Sequence, residues 1–249
     1  MKYLSLLAFM AVFIASTPSA SELDDLQVAA ENGNPAAQYF LGVMHAQGID
    51  VEKNTATAVE WYLKAAEQGF VEAQYNLAYM FMTGDGVAKD VNKAADWYLK
   101  SAEAGLPDGQ FNLSLMYKQG EGVEQDVELA IKWAKLAAEQ GHLDSQRNLG
   151  AWFGKGEGIE VDDQEAFKWY LMAAKQGYES ATIIVGGRYL YAGGVAKDLV
   201  KAHAWLSMSD SDMAKGYLNQ AEKEMSEPQI EKAEVYAAAC LESDYKDCD

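Results

Sequence analysis

Residues 58–69 read AVEWYLKAAEQG, and residues 166–177 read AFKWYLMAAKQG. The same pattern returns every 36 residues, so that tryptophan occupies one position in five successive units: Trp61, Trp97, Trp133, Trp169 and Trp205. A fixed period of this length indicates an array of small helical units that bury their apolar faces against one another. The chain is therefore predicted to be an elongated all-α array rather than a globule with a catalytic pocket.

The apolar positions of the quoted stretch follow the spacing i, i+3, i+4, i+7 and i+8, which places them on one face of a helix. In the first unit these positions are Ala58, Trp61, Tyr62, Ala65 and Ala66. Another helix is predicted before each of these, with an i, i+4, i+8 stripe that begins Ala37, Leu41, His45. Small residues beside that stripe predict a close approach of the neighbouring helix: Gly42, Ala78, Ser114, Gly150 and Gly186.

Start and stop signals mark the ends of the predicted helices. An Asn or Asp precedes every second helix and is predicted to cap it: Asn54, Asp90, Asp126, Asp162 and Asp198. Glycine follows four of these helices, at the left-handed position beyond a helix end: Gly69, Gly105, Gly141 and Gly177. The Gly-x-Gly loops between helices resemble phosphate-binding loops, but such a loop follows a strand, so turn geometry is favoured.

The net charge of the chain limits the classes of partner that it is expected to bind. The chain has 20 Lys and Arg against 38 Asp and Glu, a formal net charge of −18. Since basic side chains supply the affinity for phosphate backbones and anionic lipids, we expect neither nucleic-acid binding nor direct membrane binding. A basic protein partner would be attracted by this field, although acidity that only keeps the protein soluble is an equally good interpretation.

Residues 1–20 have the pattern of a secretory signal peptide. Lys2 is followed by an apolar run from Leu4 to Ile14 and by small residues up to Ala20. A run of about 11 residues is short of the roughly 20 that a bilayer-spanning helix needs, so export with cleavage near Ala20 is favoured over an uncleaved anchor. The predicted location is the periplasm or the exterior.

The recurring pattern A-x-x-x-L-G, an aromatic residue, G-x-G-V, D, A-x-x-W-Y and A-A-x-x-G resembles that of the Sel-one-like repeat family, a branch of the tetratricopeptide-like solenoids. The resemblance extends from about Ala29 to Gln220 and implies a right-handed α/α superhelical solenoid of about five helix-turn-helix repeats with capping helices. It also implies a scaffold or adaptor rather than a catalyst. The predicted divisions are a signal peptide (1–20), an N-terminal half-repeat cap (21–33), five tandem repeats (34–212), and C-terminal capping helices with a tail (213–249).

The C-terminal segment departs from the repeat. Ser226 to Gln229 predict a capping box that opens a final helix. Cys240 and Cys248 are the only cysteines, and in an exported protein such a pair is expected to form a disulfide. On one continuous helix they would be about 12 Å apart, beyond the roughly 7 Å limit for a disulfide, so the chain must turn back after about Leu241. Free thiols in a frayed tail are the alternative.

Function is predicted on the concave wall, which in tetratricopeptide-like solenoids is lined by the first helix of each repeat. By this analogy the first three repeats offer an aromatic stripe with carboxylates beside it. The candidate residues for binding a partner are Tyr39, Val43, Glu72, Tyr75, Tyr79, Asp108, Phe111 and Leu115. Aromatic anchors beside carboxylates suit a protein or peptide with basic and apolar residues. The alternative is that these aromatic side chains pack between neighbouring helices.

Catalysis finds little support in the sequence. His45 stands in a column of aromatic residues, where a packed histidine is favoured, and neither His142 nor His203 has another ligand at metal-binding spacing. No catalytic residue, metal or other cofactor is therefore predicted. The alternative function is a cell-wall or β-lactam-directed hydrolase, which the resemblance to secreted cysteine-rich relatives implies. The Ser-x-x-Lys pair that would serve it is Ser243 and Lys246.

Overall fold

The computed structural model describes residues 20–245 and residue 248, and it divides the chain into two compact units, before and after the Gln125–Asp126 bond. The predicted signal segment, apart from Ala20, lies outside the described residues. The first unit contains the helices α1 Ala20–Glu31, α2 Pro35–Gln47, α3 Thr55–Glu67, α4 Val71–Thr83, α5 Val91–Glu103 and α6 Pro107–Gln119. The second contains α7 Val127–Glu139, α8 Leu143–Lys155, α9 Asp163–Ala174, α10 Glu179–Tyr191, α11 Leu199–Ser207, α12 Asp212–Glu222 and α13 Glu227–Glu242. In the described residues no strand occurs, so the predicted all-α repeat architecture is confirmed.

Within each unit, the consecutive helices from α1 to α6 and from α7 to α12 pack on one another as helix-turn-helix repeats. The small residues on the first helices allow this packing. A Cβ atom on Gly42 of α2 would lie 2.6 Å from the ring of Tyr62 of α3, and one on Gly186 of α10 would lie 2.6 Å from Cγ of Leu206 of α11. Because real Cβ contacts are longer, the predicted close approach of the helices is confirmed at both positions.

The helix caps are those that the sequence predicts. The side chains of Asn54 and Asp90 accept backbone N–H groups of the first turns of α3 and α5, at 3.0 and 3.1 Å. The equivalent residues of the second unit accept at 2.8 to 3.0 Å: Asp126, Asp162 and Asp198. Gly86 has a φ of 72°, and its missing side chain lets the loop lie against the carbonyl group of Thr55. The loop glycines therefore serve turn geometry and packing.

The tryptophans are not buried to the same extent. Trp169 and Trp205 are almost inaccessible, at 1 % and 0 % exposure, whereas Trp61, Trp97 and Trp133 are only partly buried. In the first unit, Lys100 Nζ lies 3.6 Å from the ring centroid of Trp97, whose indole also packs on the core formed by α3 and α4. The indoles of the first three repeats therefore lie at the margin of the core, whereas those of Trp169 and Trp205 lie within it.

The C-terminal segment closes the second unit. Ser226 N–H donates to Gln229 Oε1 at 2.9 Å, as in the predicted capping box, and α13 packs against α11. Cys240 and Cys248 form a disulfide with their Cα atoms 5.0 Å apart, and both are buried. The predicted reversal of the chain after α13 is confirmed: Asp244 and Tyr245 have φ of 53° and 64°, and Tyr245 N–H donates to the Cys240 carbonyl at 2.9 Å.

Candidate functional site

The eight candidate residues for partner binding all lie in the first unit, on or at the start of α2, α4 and α6. Tyr39 of α2 stacks on Phe70, with ring centroids 4.9 Å apart, and lies 5.9 Å from the ring of Tyr62 of α3. Its hydroxyl group also interacts with the side chain of Asn76, on the next first helix. Tyr39 therefore connects the two helices of its own repeat to the repeat that follows.

Tyr75 of α4 repeats this arrangement one unit later. Its ring meets Tyr98 of α5 edge to face, at 5.7 Å between centroids, and Asn112 Nδ2 of α6 donates to its hydroxyl group at 3.4 Å. Burial raises the pKa of Tyr75, and the carboxylate of Asp108 raises it further. The contacts of Tyr75 are therefore those expected if these aromatic side chains pack between neighbouring helices instead of binding a partner.

Glu72 and Asp108 are exposed at the first turns of α4 and α6. The positive end of the helix dipole stabilises a carboxylate at that position. The Glu72 charge also raises the pKa of Tyr39, as Asp108 does for Tyr75, so each carboxylate lies within electrostatic range of a tyrosine on the preceding first helix. The structure therefore brings together the acidic and aromatic columns of the predicted face.

Tyr79 differs from the other tyrosines of this face because it is 54 % exposed. It stands at the edge of a pocket of about 210 Å³ between α4 and α6, lined by Tyr79, Met82, Tyr98, Asn112, Leu115, Met116, Gln119 and Glu121. The pocket is smaller than the 300 to 1,000 Å³ that is usual for small-molecule sites. It has room for one apolar side chain, with a carboxylate and two amides at its edge.

The remaining candidate residues are placed less favourably for contact with a partner. Val43 packs against the core of the first unit, and Phe111 is partly buried. Leu115 is also partly buried but lines the pocket beside Tyr79. The binding role of the eight residues stays a prediction, with Tyr79 and Leu115 at its centre.

Sequence reasoning missed the polar residues of the pocket, and it missed the asparagines that hold the tyrosines. The second group has a signal in the sequence, since asparagine recurs at intervals of 36 residues, directly after Tyr75, Phe111 and Arg147: Asn76, Asn112 and Asn148. A polar column beside an aromatic one indicates a repeated hydrogen bond. Glu121 likewise has an acidic counterpart 36 residues before and after it, Asp85 and Glu157, whereas the equivalents of Gln119 in the adjacent repeats are Thr83 and Lys155.

His142, His203 and Ser243 make hydrogen bonds or polar contacts within the fold. His142 caps α8, with its Nδ1 atom accepting the Ser145 N–H at 3.2 Å, and His203 Nε2 lies 3.2 Å from Glu222 Oε1. Ser243 donates its hydroxyl hydrogen to the Cys240 carbonyl at 3.0 Å. Lys246 lies outside the described residues, and this hydrogen bond of Ser243 is made at the C-terminal end of α13.

Similar proteins place this architecture in a family. The model of the Sel1 repeat family matches five successive segments: 35–70, 71–106, 107–142, 143–178 and 180–209. A Sel1 repeat protein from Oxalobacter formigenes is 27 % identical in sequence and aligns with a TM-score of 0.67, over 83 % of this chain and 100 % of its own. A comparison with curated proteins found no match.

Two further solved structures are similar. The protein c5321, a protective antigen of uropathogenic Escherichia coli with the same type of repeat, is 28 % identical over 90 % of this chain and 65 % of its own, with a TM-score of 0.38. A Sel1 repeat protein from Klebsiella pneumoniae is 24 % identical over 80 % of this chain and 99 % of its own, with a TM-score of 0.47. Since the family model covers five consecutive helix-turn-helix units and most of the sequence, the chain belongs to the Sel1 repeat family.

Proposed function

We propose that this protein is an exported scaffold that binds a protein or peptide partner through the face formed by α2, α4 and α6, in the regulation or assembly of the cell envelope. Sel1 repeat proteins are generally scaffolds for protein interactions. The observation that carries the proposal is Tyr79, a large aromatic side chain that is 54 % exposed beside an open pocket. Tyrosines in such positions are enriched among the residues that dominate binding energy at protein interfaces.

The negative charge around this face indicates which side chains the partner carries. Residues 20–125 contain 16 Asp and Glu but only six Lys and no Arg. Glu72 and Asp108 are exposed on the face, and Glu121 lines the pocket. A segment with an apolar side chain for the pocket and Lys or Arg beside it therefore fits best, and long-range attraction would accelerate its association. The same charge opposes nucleic acid and anionic membranes.

Export is supported by the pattern of residues 1–20 and by the Cys240–Cys248 disulfide, because such bonds persist in oxidising compartments. Cleavage near Ala20 would release the mature chain to the periplasm or the exterior. Of the helices that the structure describes between residues 20 and 245, none is both long enough and apolar enough to cross a membrane.

The test begins with a photoreactive amino acid at position 79 in intact cells, followed by mass spectrometry of the crosslinked protein. The partner is then produced and its affinity measured for the wild type, for Tyr79→Ala and for Val161→Ala, which alters an equally exposed apolar residue of the second unit. We expect Tyr79→Ala to weaken binding about tenfold or more, as for an interface anchor, and Val161→Ala to leave it unchanged. Equal affinity of all three proteins would refute the assignment of this face.

A further inference from the structure

A second concave surface lies in the second unit, between α10 and α12. It consists of two adjoining pockets of about 320 and 310 Å³. Ile183, Ile184 and Met213 line both pockets, so these side chains form the wall between them. Gly187, Tyr191 and Tyr217 are among the other residues that line the larger pocket, and Ser180 and Ser211 complete the smaller one. We call this pair of pockets the α10–α12 slot.

Gly187 has no packing reason to be a glycine. A glycine inside a helix weakens the helix, and its neighbour Gly186 is needed because a Cβ atom there would lie 2.6 Å from Leu206. At Gly187, in contrast, a Cβ atom would meet its nearest neighbour, Tyr217, at an ordinary 3.6 Å. The missing side chain at this position leaves the larger pocket open, and a residue that breaks a local rule without a structural gain indicates a functional site.

Two large apolar side chains of the slot are exposed. Met213 is 63 % exposed and Tyr191 is 55 % exposed, and both line the larger pocket. Methionine occupies position 213 where Gly69, Gly105 and Gly141 end the second helices of other repeats. Flexible methionine side chains adapt to apolar partners and are frequent on binding surfaces.

One end of the slot is acidic. Ser180 and Ser211 line the smaller pocket, and next to them in the sequence stand three exposed carboxylates: Glu179, Asp210 and Asp212. The N-termini of α10 and α12 contribute only about half a positive charge each, and Lys215 lies 4.0 Å from Asp212, so the carboxylates outweigh these positive charges. In the larger pocket, Arg188 is neutralised by Asp163 Oδ1 at 2.9 Å. The slot is therefore apolar along its length and negative at one end.

We propose that the α10–α12 slot is a second docking site, which binds a segment of another protein that carries two apolar side chains and a Lys or Arg. The apolar side chains fill the two pockets on either side of Met213, and the basic side chain lies against the acidic end. A second copy of this chain fits less well. Residues 126–249 contain 22 acidic and 13 basic side chains, so the negative charges of two copies would repel each other. This site is separate from the Tyr79 face and does not depend on it.

The test uses a random-peptide phage library selected on the purified mature protein, followed by fluorescence anisotropy with the enriched peptides. Gly187→Leu fills the larger pocket, and we expect it to lower the affinity for these peptides about tenfold or more. Gly216→Leu is the matched control, because a side chain at Gly216 of α12 would meet nothing within 4 Å. It should bind as the wild type does, and so should Tyr79→Ala. Met213→Asp, at an exposed position, should cause the same loss as Gly187→Leu without a risk to folding.

Several results would overturn the proposal. They are the absence of enriched peptides, enriched peptides without basic residues, and peptides that bind Gly187→Leu and Met213→Asp as tightly as the wild type. Concentration-dependent dimerisation that Gly187→Leu abolishes would assign the slot to a second copy of the chain instead. Loss of binding in Tyr79→Ala alone would place the peptides on the first unit and leave the slot empty.

Discussion

Gln146 of α8 donates a hydrogen bond from Nε2 to the carbonyl oxygen of Ala138, in the last turn of α7, at 2.9 Å and out of contact with solvent. The same bond recurs at 36-residue intervals in the first unit, from Gln38 to Ala30, from Gln74 to Ala66 and from Gln110 to Ala102, at 3.0 to 3.2 Å. The carbonyl groups of a last helical turn have no partner within their own helix. Each of these four carbonyl groups accepts the N–H of the glycine beyond its helix at 3.0 Å. The buried glutamine adds a second donor, and this second bond joins each first helix to the helix before it.

Gln146→Leu should lower the free energy of unfolding by about 0.5 to 1.5 kcal/mol, because it removes the side-chain hydrogen bond to the buried Ala138 carbonyl, which keeps only the Gly141 N–H. It also removes the acceptor of the 2.7 Å hydrogen bond from Gln176 Nε2. Urea denaturation measures the effect. The control is Gln164→Ala, at an exposed position of α9, which should change stability by less than about 0.5 kcal/mol. If both variants unfolded at the same urea concentration, the repeated hydrogen bond would contribute nothing to stability.

Trp205→Ala should lower the free energy of unfolding by about 3 to 5 kcal/mol, because the indole is fully buried and its removal leaves a cavity. Trp97→Ala and Trp133→Ala should each cost less, since these indoles are only partly buried. Chemical denaturation of the three variants provides the comparison. If the partly buried positions lost as much stability as Trp205, burial would not be the source of the difference.

The tryptophans also show how far the sequence predicts this structure. The period fixes the helices, caps and small residues because each depends on neighbours at constant spacing, as Gly42 and Asn54 do. The degree of burial of Trp61 and Trp205 depends instead on which residues cover each repeat, and those are not periodic. The same holds for the pocket at Tyr79, where Gln119 is replaced by Thr83 and Lys155 in the adjacent repeats.

Reduction of the Cys240–Cys248 disulfide should destabilise the second unit by about 2 to 3 kcal/mol, as expected for the cross-link of a short loop. Both cysteines are buried and belong to the core that contains Trp205 and Ala221, so the loss should include the packing of the tail. Thermal melts with and without a reducing agent measure the shift. The double variant Cys240→Ser, Cys248→Ser should melt at the temperature of the reduced wild type and ignore the reducing agent. A wild type that is equally insensitive would contradict the role of the bond.

Stability should fall as the pH rises above about 10. Burial, the first cause, raises the pKa of Tyr39 and Tyr75 above the ordinary 10.0, and nearby carboxylates add to the shift. A raised pKa means that the folded state retains the proton that the unfolded state loses, so the stabilisation is complete below pH 10 and declines above it. Tyr75→Phe should make the alkaline decline shallower, at the cost of the hydrogen bond from Asn112.

Melting temperatures measured from neutral to strongly alkaline pH test this expectation, with Tyr79→Phe as the control at an exposed tyrosine of the same helix. An unaltered alkaline slope in Tyr75→Phe would mean that other groups cause the decline.

Alanine substitutions at two adjacent glycines of α10, Gly186 and Gly187, should change the free energy of unfolding in opposite directions. Gly187→Ala should raise the free energy of unfolding by about 0.5 to 1 kcal/mol, since alanine favours the helix and its Cβ meets Tyr217 at an ordinary 3.6 Å. Gly186→Ala should lower it by about 1 to 3 kcal/mol, because its Cβ would be forced to within 2.6 Å of Leu206. Urea denaturation gives both signs. A loss of stability in Gly187→Ala would show that packing requires that glycine, and the open pocket would then need no functional explanation.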